Sequence, residues 1–267
     1  MAQFAHDEAT ARRSAEVIEQ LIEARDSLTA GTGVTFERKH EAVARTAWSW
    51  WMLVTDSARL VLEQTKAGNG FLVAPVTRNL VTHALALPWL IDGGATAVQA
   101  VDAYGDEELL KLVNAAADVG WAIGEPGDED RIRQHVAYRQ SQLTSEITRL
   151  KNEFKNTETL MTAYGAKPSY LVYRHLSGFS HTTRDTGKLY LEPAGSGPNE
   201  WQIRNRPRPS GFSDVIGIAV SLVQAGQVIN RILTGQPLTQ PLQEATQHLG
   251  LPDDLVPTRK RARRGQA

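Results

Sequence analysis

Apolar residues recur at helical spacing along most of the chain. Between Ile132 and Phe154 they follow one another at intervals of three, four and seven residues, the pattern of a helix with one buried face. The same periodicity, interrupted by glycine- and proline-rich breaks, predicts helices over residues 7–28, 35–66, 75–92, 96–104, 106–121, 128–156, 157–164, 169–180, 213–233 and 237–249. Extended segments around a turn-rich stretch predict a small β-hairpin excursion near 188–204. We therefore expect an all-α, multi-helix bundle with one hairpin.

The stretch 75–92 stands apart because it is apolar on every side, although it contains Arg78 and His83. A helix that is apolar all round is a buried helix, so we expect it at the centre of the bundle, with Pro88 kinking or ending it. A buried guanidinium requires a partner. Arg78 therefore either pairs with an acid or faces a cleft that admits water and ligand. The candidate acids are Asp56, Glu63 and Asp92.

Composition indicates an ordinary globular protein, with 41% hydrophobic and 22% charged residues in 267. We expect one helical domain over residues 1–250 and a disordered basic tail over residues 251–267. The formal net charge of −1 conceals five basic residues in the last ten; the rest of the chain has 24 basic against 30 acidic residues. Bulk charge on this body would not attract a polyanion.

Cysteine is absent, which excludes disulfides, thiolate catalysis and thiolate zinc sites. No window of 18 uncharged apolar residues occurs, and the N-terminus lacks the apolar segment of a signal peptide. We therefore expect a cytoplasmic protein that has no membrane partner. The two histidines near residue 180, His175 and His181, have a spacing that is poor for metal ligands on a helix, and we expect no metal and no cofactor.

Two arginine–histidine motifs could carry chemistry. Arg78 precedes His83 by five residues, and Arg174 precedes His181 by seven. Both match the Arg-x4–6-His pattern of the helical nucleotide-binding superfamily known as HEPN, whose ribonuclease members prefer Asn, Asp or His directly after the arginine. Asn79 and His175 occupy those positions here. On a helix Arg174 and His181 share a face, whereas Arg78 and His83 lie about 140° apart.

If the two motif helices are neighbours, their polar side chains form one composite pocket. We predict Arg78, His83, Arg174 and His181 as catalytic residues and Asn79, Tyr173, His175 and Ser177 as ligand-binding residues. A histidine could transfer protons while arginines stabilise the charge that develops on phosphorus, which is the requirement of metal-free RNA cleavage. The same residues could bind a phosphate without cleaving it. In a third interpretation the arginines form structural ion pairs and the histidines belong to the core.

The same two segments resemble an uncharacterised bacterial family of helical proteins. One helix of that family has the pattern Arg-x3-Glu-(His) followed by Trp-Leu, and a later helix has Tyr-Arg-x-Leu-Ser-x3-His. Thr82 stands in place of the family's acidic residue. The residues that match are Arg78, His83, Trp89, Leu90, Tyr173, Arg174, Leu176, Ser177 and His181. The resemblance implies that the two motif helices act as a linked pair.

These observations favour a HEPN-like protein that binds or cleaves RNA, of the toxin or defence type. Its partner would be single-stranded RNA or another phosphate-bearing ligand. The HEPN resemblance implies that a homodimer would complete the active site. The competing interpretation is a non-catalytic helical protein whose Arg/His pairs are structural or bind a small anion.

Overall fold

Helices make up most of the part of the chain that the structure describes. The structure, a computed structural model, describes residues 7–31, 33–195, 200–208 and 211–260. Its helices are α1 (Glu8–Thr29), α2 (Glu41–Lys66), α3 (Ala74–Asp118), α4 (Asp128–Ser141), α5 (Ser145–Lys155), α6 (Thr157–Ala163), α7 (Lys167–Ser180), α8 (Arg184–Gly187), α9 (Phe212–Asn230) and α10 (Thr239–Leu249). Strands β1 (Leu191–Pro193) and β2 (Trp201–Ile203) pair antiparallel. The predicted all-α bundle with a small hairpin is confirmed.

Helix α3 lies at the centre and packs against α2, α5, α7 and α9. Residues 84–90 of this helix are all buried, and Leu80, Leu87 and Trp89 are completely removed from solvent. Pro88 does not end this helix, because the surrounding apolar packing offsets the backbone hydrogen bond that proline cannot donate. The helical geometry is interrupted only at Gly94, which adopts φ 57° and ψ −142°. The break predicted at Gly105 is absent.

The helix predicted over 128–156 is two helices. Helix α4 ends at Ser141, and the side chain of Thr144 accepts a hydrogen bond from the backbone N–H of Ile147 to begin α5. A threonine in this position satisfies a free N–H at a helix start. The apolar periodicity continues across the break because both helices bury their apolar residues on the same bundle, so periodicity alone did not reveal the division.

The predicted tail needs correction over residues 251–260. Leu255 and Val256 pack against the core. The Arg259 guanidinium lies 2.5 Å from the buried carboxylate of Glu153, and the backbone N–H of Lys260 donates to the carbonyl of Ala163. These contacts hold the segment along the bundle, so the boundary at residue 251 is wrong for this part. The remaining predicted tail, 261–267, lies outside the described residues.

One helical segment, Gly70–Asp118, is long and apolar enough to cross a membrane by length and composition. Half of its most apolar window is buried inside the protein, as expected for the core helix of a bundle. The apolar composition of this segment is therefore accounted for by its position at the centre of the fold, where it packs against α2 and α9.

Candidate functional site

The two arginine–histidine motifs meet in space, but the arginine of the first motif contacts the histidine of the second. Nη1 of Arg78, on α3, lies 3.3 Å from Nε2 of His181, at the end of α7. The Arg78 guanidinium also lies over the ring of Tyr173, 5.6 Å from its centre. Tyr173 in turn stacks on Tyr170 one turn earlier, with ring centres 5.9 Å apart. We refer to Arg78, Tyr170, Tyr173 and His181 as the Arg78 cluster.

His181 reaches Arg78 because α7 stops at Ser180. His181 has extended backbone geometry, with φ −127° and ψ 164°, so its ring is not placed by the helical face that the sequence predicted. The following residues fix this exit. Thr183 caps the short helix α8, and its hydroxyl donates to the carbonyl of Gly178 in the last turn of α7. The imidazole is therefore exposed at a well-defined helix end, while Arg78 is half-buried.

Hydrogen-bond chemistry fixes the form of His181 in this contact. A guanidinium has only donors, so Nε2 of His181 must accept and cannot carry a proton while it contacts Arg78. In the neutral ring the proton then resides on Nδ1. An anion that takes the Arg78 donor would release the Nε2 lone pair. The contact thus couples anion binding to the availability of a histidine base.

The structural ion pair proposed for Arg78 is wrong. Asp56 contacts Arg25, at 2.6 Å from Nη1, and Asp92 accepts a hydrogen bond from the hydroxyl of Tyr164 at 2.8 Å. Burial and the neighbouring carboxylate of Asp92 raise the pKa of Tyr164. Across the described ranges, no carboxylate oxygen lies within 4.0 Å of the guanidinium of Arg78 or Arg174. Arg78 thus has no acidic partner in this part of the chain.

His83 contacts a different neighbour. Its Nδ1 donates to the backbone carbonyl of Asn79, at 2.7 Å, and its ring meets Trp50 of α2 edge-on, with centres 5.7 Å apart. Trp50 stacks on Phe154 of α5 at an interplanar angle of 6°. His83 is half-buried in this aromatic group, whereas Arg78 faces α7. The two side chains diverge because five residues on a helix rotate the direction by about 140°.

The other predicted residues, three on α7 and one on α3, do not join the Arg78 cluster. Arg174 is exposed and follows Tyr173 directly. Ser177 donates its hydroxyl proton to the backbone carbonyl of Tyr173, which occupies it locally. His175 meets Phe179 edge-on and lines a separate cleft between α7 and α9. Asn79 is exposed on α3. The predicted composite pocket is therefore reduced to the Arg78 cluster, with Arg174 beside it in the chain.

Sequence reasoning missed Tyr170 as part of the cluster. Its spacing of three residues from Tyr173 is the signal that could have shown it, because residues three apart on a helix are neighbours. The described ranges contain no group of three or more His, Asp or Glu side chains arranged to hold a metal ion. The cluster itself can donate hydrogen bonds to an anion, stack on a planar group and accept one proton.

Comparison with known proteins adds no relative. No family model, curated protein or solved structure matches the chain significantly.

Proposed function

We propose that this protein is a HEPN-like RNA-binding protein that holds a phosphate of single-stranded RNA at the Arg78 cluster and cleaves the strand there without a metal ion. The observation that carries the proposal is the contact between Arg78 and His181, which joins a cation lacking a carboxylate among the described residues to an exposed histidine. Its biological setting would be of the toxin or defence type.

The aromatic residues support a nucleic acid over other phosphate-bearing ligands. Proteins that bind single strands combine cationic groups along the backbone with aromatic rings on which bases stack. Arg78 supplies the first, and the parallel rings of Tyr170 and Tyr173, one turn apart on α7, supply the second. A single strand is favoured because its bases can reach such rings, whereas those of a duplex are stacked on one another.

Cleavage would proceed by attack of the ribose 2′-oxygen on the adjacent phosphorus. His181 would accept the 2′-hydroxyl proton at Nε2, which becomes free once the phosphate takes the Arg78 donor. The bond from phosphorus to the 5′-oxygen would break as the new bond forms, and Arg78 would stabilise the extra negative charge. The products are a 2′,3′-cyclic phosphate and a 5′-hydroxyl, and the leaving oxygen must receive a proton.

That second proton requires a donor that the cluster of one chain lacks. His83, the predicted second histidine, lies against Trp50 instead. We propose that two copies of the chain pair so that each bound strand meets two histidines: His181 beside the Arg78 that holds the phosphate accepts the 2′-hydroxyl proton, and His181 of the second copy donates a proton to the leaving 5′-oxygen. The homodimer is thus part of the catalytic proposal, whereas binding of RNA requires one chain only.

The separation of His83 from the cluster also favours a second candidate function. With one histidine and one or two arginines, the cluster could bind a small phosphate-bearing anion and perform no chemistry. This candidate retains the role of Arg78 but assigns none to proton transfer by His181. The two candidates therefore differ in product formation rather than in binding.

The test is to incubate the protein with several fluorescently labelled single-stranded RNAs in EDTA and to separate the products on a gel. We expect cleavage that leaves a 2′,3′-cyclic phosphate, is abolished in His181→Ala and persists in His83→Ala. If two copies share the site, an excess of inactive His181→Ala mixed with the wild type should lower the activity below that of the wild type alone, because each mixed dimer lacks one of the two histidines. His40→Ala, which removes a histidine far from the cluster in sequence, is the matched control.

Binding is measured in parallel by fluorescence anisotropy at increasing salt. Loss of the charged contact in Arg78→Ala should weaken binding about tenfold or more, since such hydrogen bonds contribute about 1.5–3 kcal/mol. It should also reduce the salt dependence, because one phosphate contact is lost. Binding without cleavage by the wild type across all RNAs would overturn the nuclease proposal and leave the anion-binding candidate. Absence of both would overturn the two together.

A further inference from the structure

A second cleft, separate from the Arg78 cluster, lies on the other side of α7. It has a volume of about 570 Å³ and is bounded by α3, α7 and α9. One wall is apolar and includes Val81 and Leu85 of α3 and Val172 of α7. Volumes between about 300 and 1,000 Å³ with mostly apolar walls and a few convergent polar groups are typical of small-molecule sites. The size of the cleft is thus that of a ligand site.

Much of the remaining lining comes from α9, where Ile216 and Val220 add apolar surface and other residues form a stripe of polar side chains. Asp214, Gly217, Ser221 and Gln224 all line the cleft, at positions that fall on one side of a helix. The stripe is about 15 Å long, from the helical rise over ten residues. It ends there because the next polar residue, Gln227, is already bonded to the backbone of the C-terminal segment, at the carbonyl of Asp253 and the N–H of Leu255.

Gly217 is a second observation that is consistent with an open cleft at this position. Glycine inside a helix is less favourable than alanine by about 1 kcal/mol, so it usually has a packing reason. Apart from the adjacent residues and the backbone of α9 itself, no described atom lies within 4 Å of the position that a Cβ would occupy, so no packing neighbour requires the small residue. Its missing side chain instead widens the floor of the cleft.

The polar end of the cleft contains one acidic side chain and one histidine. Asp214 lies at the start of α9, half-buried, and His175 of α7 faces the same space. Burial raises the pKa of Asp214, while the nearby His175 acts in the opposite direction. A carboxylate held away from water interacts strongly with a cation that enters its surroundings, because the local dielectric constant is low.

We propose that this cleft binds a small amphipathic cation, with its ammonium group at Asp214 and its apolar chain between Val81, Leu85 and Val172. Charge complementarity at Asp214 selects a cation over an anion, and the apolar wall selects a hydrocarbon chain over a polar one. Ser221 and Gln224 offer further hydrogen bonds along the stripe. The site is independent of the RNA proposal, since none of its residues belongs to the Arg78 cluster.

The test compares three probes of equal chain length, octylamine, octanol and octanoate, by calorimetric titration of the full chain below their aggregation concentrations. We expect octylamine to bind about tenfold or more tightly than octanoate, corresponding to one favourable charge contact. Asp214→Asn should remove this preference. Gly217→Leu should abolish binding of the amine and the alcohol by filling the cleft, and should not lower the melting temperature. Gly105→Leu, a helix glycine that also has open space around it, is the matched control.

Several outcomes would overturn the proposal. These are absence of octylamine binding by the wild type, equal binding of amine and carboxylate, and unchanged amine binding in Gly217→Leu. If Gly217→Leu impairs folding, Val172→Trp offers a second way to fill the cleft, from the exposed side of α7. RNA binding, measured on the same variants, should be unchanged, so failure here is distinguishable from failure of the RNA proposal.

Discussion

Two arginines on the core helices show how differently this chain treats a positive charge. Arg25 of α1 is 3% exposed and lies between carboxylates, with Nε 2.7 Å from Asp26 and Nη1 2.6 Å from Asp56. Its Nη1 also donates to the hydroxyl of Thr55. Arg78 of α3 is half-buried and contacts an imidazole and an aromatic ring instead. The first guanidinium is neutralised by its surroundings, whereas the second is not.

The difference separates a structural cation from a cation available to a ligand. A charge removed from water is tolerable only when the fold supplies opposite charge, and at Arg25 it supplies two carboxylates. At Arg78 the partners are neutral groups that an anion can displace or share. The contrast therefore predicts opposite responses: Arg25 should govern stability and Arg78 should govern binding.

The largest expected effect is on stability, when each arginine is replaced by alanine separately. Arg25→Ala should lower the free energy of unfolding by about 2–4 kcal/mol, because it removes a buried side chain and its ion pairs. Arg78→Ala should lower it by about 1 kcal/mol or less, since the half-buried side chain has only weak partners. Urea denaturation followed by circular dichroism measures both. Equal losses in the two variants would show that Arg78 is a structural residue and would remove the basis of the comparison.

Tyr173 should matter in the same direction as Arg78. Tyr173→Ala is expected to weaken binding of single-stranded RNA by about 1–3 kcal/mol, the range found for stacking of one base on an aromatic ring. Tyr173→Phe retains the ring and should bind like the wild type, which makes it the matched control. Fluorescence anisotropy gives the affinities. If Phe fails as badly as Ala, the hydroxyl rather than the ring is the important group, and the stacking platform is not supported.

Thr82→Glu would give Arg78 a carboxylate partner, as Arg25 has. Thr82 lies four residues after Arg78 on α3, and its hydroxyl donates to the carbonyl of Arg78, so a glutamate there can reach the guanidinium. We expect RNA affinity to fall about tenfold, roughly 1.4 kcal/mol, because the carboxylate competes with the phosphate. Thr82→Gln, which has the same size without the charge, should retain affinity. Equal affinities of the two variants would argue against a phosphate at Arg78.

Much of the fold could be predicted from the pattern of apolar residues. The central position of α3 followed from a segment with no polar face, and the hairpin followed from two extended segments around a turn. The division of 128–156 could not be predicted because α4 and α5 continue one apolar stripe across the break at Thr144. The packing of 251–260 was missed because its contacts, such as Arg259 with Glu153, join residues distant in sequence.

The candidate site was predicted only in part. The composite pocket was predicted on the condition that the two motif helices are neighbours. They are, but the histidine that contacts Arg78 comes from the other motif. Helical spacing could not show this, since His181 lies just beyond the end of α7 and its direction depends on the cap at Thr183. Likewise, the sequence offered Asp56 to Arg78, whereas the fold gives Asp56 to Arg25. Such competition between partners is decided by tertiary packing alone.

The smallest expected effect tests whether burial, rather than the number of opposite charges, distinguishes Arg25. Glu107 on α3 is surrounded by three lysines, with Nζ of Lys155 at 2.6 Å, Lys111 at 3.3 Å and Lys151 at 3.4 Å. The hydrogen bond from Lys155 is the largest cause that lowers the pKa of Glu107, to about 2. Yet two of these lysines are about half exposed, so solvent screens the attraction.

Because the folded-state pKa of Glu107 lies below its ordinary value of 4.5, its contribution is fully present above that pH and disappears as the pH falls towards 2. Glu107→Gln should therefore cost about 1 kcal/mol or less at neutral pH, and the difference from the wild type should shrink as the pH falls through this window. Urea denaturation of both proteins at several pH values measures it. If Glu107→Gln lowered the free energy of unfolding as much as Arg25→Ala does, the number of opposite charges around a side chain would matter more than its burial. Burial of Arg25 would then not explain its contribution to stability. Arg25 and Arg78 would differ only in that Arg78 binds a ligand.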